Sequence, residues 1–108
     1  MLLDVRTYRV RPGQLNAHFA LYEKYGKPAQ SRHLGQPLAY LRTETGDPNE
    51  FVHIWVYENA ADREKKRAAM QADPDWQDYL RRSAELGALV SQNNRLMTPV
   101  AFYAEPKV

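Results

Sequence analysis

FVHIWVYENAADRE, residues 51–64, sets two unlike groups of side chains on alternate positions before it turns polar. Successive strand residues point to opposite faces, so Val52, Ile54 and Val56 share one side. Phe51, His53, Trp55 and Tyr57 share the other. A strand with one face in water alternates apolar with charged residues, whereas this one alternates aliphatic with aromatic and imidazole side chains. Both faces therefore call for a covering layer. The stretch then changes character at Asn59, a good helix N-cap, with Asp62 placed where a carboxylate suits the helix dipole.

The neighbouring segments extend this pattern. Residues 2–11 alternate as a strand, with Leu3, Val5 and Thr7 opposite Asp4, Arg6, Tyr8 and Val10, and Pro12-Gly13 ends it. Leu15, Phe19 and Tyr22 fall at helical spacing and predict a first helix over about 14–25. Gly26 and Pro28 interrupt that helix, with a turn resuming toward Arg32. A second strand is expected near 38–45, where Ala39, Leu41 and Thr43 oppose Leu38, Tyr40, Arg42 and Glu44. TGDPNE (45–50) turns the chain into the strand quoted first. A helix follows to about residue 72. Asp73-Pro74 then starts another over 74–86, because aspartate caps and proline at the first helical position gives up no needed hydrogen bond. Trp76, Tyr79, Leu80 and Ser83 make its inner stripe, and Gly87 suits its end. Gln92, Asn93, Asn94 and Arg95 read as a turn into the last strand. A last strand is placed within 95–104, with Pro99 marking an edge or bulge.

This β-α-β-β-α-β order is the ferredoxin-like arrangement of an α+β domain with an antiparallel sheet. With 108 residues the natural reading is one domain, 1–108. Two sheet faces emerge. One carries Val5, Leu41, Val52, Ile54 and Val56; the other carries Arg6, Tyr8, Tyr40, Arg42, His53, Trp55 and Tyr57.

Composition removes several classes of function. The chain has no cysteine, which excludes disulfides, thiolate catalysis and cysteine metal sites. Fifteen basic against thirteen acidic side chains leave a net charge of only +2, too little for the concentrated basic face that nucleic acid requires. The densest charged run, DREKKR (62–67), mixes both signs as a solvated helix face does. No apolar run is long enough for a membrane span. Asp4 and Arg6 stand where a signal peptide needs an unbroken apolar stretch, so the expected location is the cytoplasm. His18, His33 and His53 lie on three different elements without a His–Glu pair at ligand spacing, and no metal is expected.

Four motifs in order, VRTYRVRPG (5–13), VHIWVYENAADRE (52–64), ADPDWQDYL (72–80) and QNNRLMTPVAF (92–102), resemble the NIPSNAP domain, a branch of the dimeric α+β barrel superfamily. The resemblance covers nearly the whole chain. It implies a homodimer in which two sheets pack face to face, so that Val5, Leu41, Val52, Ile54 and Val56 meet the same residues of a second copy. Antibiotic-biosynthesis monooxygenases and haem-degrading enzymes of the superfamily carry a tryptophan on the third strand that lines a cavity between sheet and helices. Trp55 occupies the similar position. The haem-degrading relatives hold iron with a histidine on the following helix. Here that helix has none, with Lys65 and Lys66 near the expected place, so no cofactor is implied.

The candidate site is the polar–aromatic face. Arg6, Tyr8, Tyr40, Trp55, Tyr57 and Trp76 are expected to bind a small planar, partly apolar ligand, with Leu15, Phe19, Tyr22, Trp76 or Tyr79 closing the pocket. His53 is the candidate general base near neutral pH. Arginine can hold an acidic group while tryptophan covers a ring. The plainer reading is that these aromatics are bulky core whose polar tips are satisfied by backbone or water. Two alternatives stand beside ligand binding: a cofactor-independent monooxygenase or isomerase-like enzyme, and a non-catalytic dimeric interaction protein. Fold alone does not choose among them.

Overall fold

The computed structural model describes residues 1–103 and 105–107. Among the described residues nine elements follow in order: β1 (Leu2–Val10), α1 (Leu15–Leu21), a π-helical turn (Tyr22–Gly26), α2 (Lys27–Leu34), β2 (Ala39–Arg42), β3 (Glu50–Tyr57), α3 (Ala60–Gln71), α4 (Pro74–Leu86) and β4 (Leu89–Met97). The strands form one antiparallel sheet in the order β2-β3-β1-β4, the ferredoxin-like topology. β1 and β3 are central neighbours, with Val5 opposite Ile54, Arg6 opposite His53 and Tyr8 opposite Phe51. Tyr40 pairs with His53 from the other side.

All helices serve one face. Phe51, His53, Trp55 and Tyr57 are buried beneath them, while Val52, Ile54 and Val56 remain half-buried and Leu41 is 51% exposed. The larger core cluster joins Trp55, Tyr57, Met70, Trp76, Tyr79, Tyr22, Ala29 and Leu34; a smaller one joins Val10, Leu15, Phe51 and Ala88. Burial of such large aromatic and aliphatic surfaces is the main favourable term for the fold.

The helix ends follow their capping chemistry. Asn59 accepts from the Asp62 amide at 2.8 Å, and Asp62 accepts in return from the Glu58 amide at 3.0 Å. Asp73 caps α4 through the Asp75 amide, and Gly87 closes α4 in the left-handed conformation at φ 65°. Arg11 reaches across from the end of β1 and donates to the Gly87 carbonyl at 2.7 Å, a cation placed at the helix C-terminus.

Three expectations require correction. The helix does not break at Gly26 and Pro28; it runs on from Leu15 to Leu34 through the π-helical turn. Pro28 has no N–H to donate to the carbonyl four residues back. The helix accommodates this by widening just ahead of it, with the Lys27 amide reaching the Tyr22 carbonyl five residues back. The last strand is Leu89–Met97 rather than 95–104, and Gln92, Asn93, Asn94 and Arg95 pair along β1 instead of turning. Their polarity suits an edge strand, exposed along most of its length. Pro99 follows the strand, and Ala104 lies outside the described residues. Finally, 62–67 is not a uniformly solvated face, because Arg63 turns inward to the sheet.

Candidate functional site

A cavity of about 250 Å³ lies between the sheet and the helices. Arg6 and Tyr8 from β1 and Phe51 and His53 from β3 make its floor. His18, Tyr22 and Gln30 form one wall, and Trp76, Tyr79, Leu80 and Ser83 of α4 cover it. Arg67 and Gln71 of α3, with Leu89 and Gln92 at the β4 side, complete the lining. The two-residue repeat of the strands aims Arg6, Tyr8 and His53 at this space, and Arg6 lies directly across from His53.

Arg6 is anchored within the sheet. Its Nε donates to the Tyr8 hydroxyl at 2.9 Å and its Nη1 to Asp4 Oδ2 at 3.2 Å. Asp4 is fully buried and also accepts from Arg63 Nε at 3.1 Å and Asn94 Nδ2 at 3.1 Å. One carboxylate therefore serves two guanidiniums, and Arg67 adds another cation to the lining. Burial works against the Arg6 charge, but Tyr8 and Asp4 outweigh it and raise its pKa. The site holds its positive charge at any physiological pH.

The histidines behave oppositely. Burial lowers the His53 pKa to about 3, with help from His18 and Arg6, and lowers that of His18 to about 4. Both imidazoles are neutral. Burial also raises the Tyr79 pKa to about 12, and burial together with the Tyr40 hydroxyl raises that of Tyr22 far above the usual phenol range. Among the described residues, His53 Nδ1, His18 Nδ1 and Trp76 Nε1 in the cavity lining are buried without a hydrogen-bond partner, as are Trp55 Nε1, the Tyr57 hydroxyl and Ser31 Oγ outside it. Buried polar atoms of this kind are uncommon and call for an explanation.

The expected residues are distributed as follows. Arg6, Tyr8, His53 and Trp76 share the cavity. Trp55 and Tyr57 lie on the same sheet face but are packed into the core, 0% and 2% exposed, outside the lining. Tyr40 lines a second, more open cleft of about 370 Å³ beside β2, together with Phe19, Tyr22, Leu41, Arg42 and His53. Asp4, Arg63 and Arg67 escape a reading of the candidate site by residue class. The signals for them are positional: Asp4 lies two residues before Arg6 on the same strand face, and Arg63 and Arg67 lie one helical turn apart. Among the described residues, no group of three His, Asp or Glu side chains is close enough to hold a metal ion, and no helix is long and apolar enough to cross a membrane.

Comparisons with known proteins bear on the family and the fold. A solved NIPSNAP family protein of unknown function from Agrobacterium tumefaciens is 35% identical, with a TM-score of 0.86 over 95% of this chain and 91% of that one. The NipSnap homolog of Dictyostelium discoideum is 27% identical over 90% of this chain, and the chain spans only 42% of that protein's length. A solved antibiotic biosynthesis monooxygenase, 20% identical with a TM-score of 0.63, covers 93% of this chain and shares the fold. The sequence profile of the NIPSNAP family matches residues 3–104. On that match, over almost its full length, the chain belongs to the NIPSNAP family.

Proposed function

We propose that the protein binds a small planar, partly apolar anion in the cavity between sheet and helices. The observation that carries this reading is a mixed lining: a guanidinium anchored on Asp4 and Tyr8, beside aromatic rings and unpartnered ring nitrogens. Ligand sites combine mostly apolar walls with a few convergent polar groups in this way. At about 250 Å³ the cavity lies just below the usual range of ligand pockets and suits one or two fused rings. In this reading Arg6 and Tyr8 hold the acidic group and Trp76 covers the ring. His53 contributes a neutral imidazole that orients the ligand by hydrogen bonding. A pKa near 3 makes it a weak proton acceptor at neutral pH, so orientation is the role that its burial supports.

The same reading pairs two copies of the chain through Val5, Leu41, Val52, Ile54 and Val56. These side chains sit together on the face the helices leave open.

Calorimetry with 2-naphthoate and its neutral counterpart 2-naphthamide tests the site. Naphthoate is expected to bind, naphthamide to bind at least about tenfold more weakly, and Arg6→Gln to erase the difference. Equal binding of the two probes, or binding of neither, would remove the reading.

A further inference from the structure

The cavity and the second cleft are separated by one wall, made of Tyr22 and His53, which line both spaces. Their ring centroids are 5.2 Å apart. Tyr22 is the movable member by position, since it projects from a helix, whereas His53 is fixed between two neighbouring strands. Yet it is held on several sides. Its hydroxyl bonds Gln30 Oε1 and the Tyr40 hydroxyl, the latter at 3.0 Å. Its ring meets Tyr40 and Tyr79 edge-on, each at 5.8 Å between centroids.

The backbone has been reshaped at this place. The π-helical turn begins at Tyr22, and π-helical turns inside α-helices recur at functional sites. Gly26, at the end of the same turn, lies so close to Tyr22 and Tyr79 that a β-carbon there would come within 2.8 Å and 2.9 Å of their rings. The widened turn and the missing side chain together let the Tyr22 ring pack inward against the sheet.

From this we infer that Tyr22 is a specificity-determining residue that limits ligand length, closing the inner cavity against a cleft whose Phe19, Tyr40 and Leu41 would otherwise receive a second ring. The inference rests on the ligand-binding reading above and adds the size class of the ligand: one that ends at Tyr22. A partition fixed by two hydrogen bonds and edge-on rings is a wall and not a swinging gate, because opening it would leave buried hydroxyl and amide groups unpaired.

The test compares 2-naphthoate with the rigid rod 4-(phenylethynyl)benzoate by calorimetry on wild type, Tyr22→Ala, Tyr22→Leu and Tyr22→Phe. Wild type is expected to bind naphthoate and to exclude the rod. Tyr22→Ala, or Tyr22→Leu should the alanine variant fail to fold, should gain the rod by about tenfold or more. Tyr22→Phe gives up both hydrogen bonds but keeps the ring and its edge-on contacts with Tyr40 and Tyr79, and on bulk alone should keep the length limit. A wild type that takes the rod as readily as naphthoate overturns the inference, as do folded Ala and Leu variants that still exclude it, while the site itself stands. Binding of neither probe by any variant overturns both.

Discussion

His18 and His53 are the residues whose charge the fold suppresses most directly, and the consequence is measurable. Their folded pKa values, about 4 and about 3, lie below the unfolded value near 6.5. Below pH 6.5 the unfolded chain therefore binds more protons than the folded one, and stability falls as pH drops. The loss begins near pH 6.5 and stops growing only below the folded values. At pH 5 each imidazole should cost roughly 2 kcal/mol relative to pH 7. Urea unfolding at the two pH values measures this, and His18→Phe with His53→Phe should flatten the difference. An unchanged midpoint in the wild type would show that the rings reach water. The contrast with Asp4 marks where residue-by-residue reading of a sequence stops. His53 stands out as an imidazole among aromatics, and its place on the core face follows from the strand alternation. Asp4 occupies an equally predictable position, yet its partners Arg63 and Asn94 lie 59 and 90 residues away in the chain, so its role depends on tertiary contact.

At the scale of elements, the two central strands and the caps were the legible part. Alternation locates β1 and β3, and Asn59, Asp73 and Gly87 mark helix ends through local chemistry alone. The first helical region was harder, because a proline and a glycine together normally end a helix. What carries the helix across them is tertiary: Tyr22, Gly26 and Tyr79 pack into one another, and Arg32 and His33 at the far end of α2 hold Asp73 at 2.6 Å and 2.7 Å. That clasp ties the end of α2 to the cap of α4, and Arg32 first, then His33, holds the Asp73 carboxyl well below the usual carboxylate range. β4 is hard to locate from sequence, since an edge strand exposed on both sides carries no apolar period. Gly26→Ala sets two effects against each other. Alanine favours a helix by about 1 kcal/mol, whereas overpacking two buried tyrosine rings costs about 1–3 kcal/mol. Net destabilisation of about 1 kcal/mol is expected in denaturant titrations, and a more stable variant would mean that the rings yield easily.

The whole molecule is asymmetric about its sheet: one face sits beneath every helix, and the other is aliphatic and half-covered. Ile54 stands at the middle of that open face, across from Val5 on one side and Ala39 on the other. In one copy alone, such a surface leaves apolar area in water at about 25 cal/mol for each Å², a cost that pairing with a second copy would relieve. The homodimer proposed for this face makes a specific demand on Ile54. A lysine there would cause little harm to a monomer, since the long side chain can reach water from a half-buried position. In a dimer closed over this face it would be buried as a charge without a partner, at a cost of several kcal/mol. Ile54→Lys is therefore expected to yield a folded monomer where the wild type sediments as a dimer at micromolar concentration. The cavity lies on the opposite side of the sheet from Ile54, so naphthoate binding by the monomeric variant should survive. A wild type that sediments as a monomer, or an Ile54→Lys variant that remains dimeric, would assign the open face to some other partner.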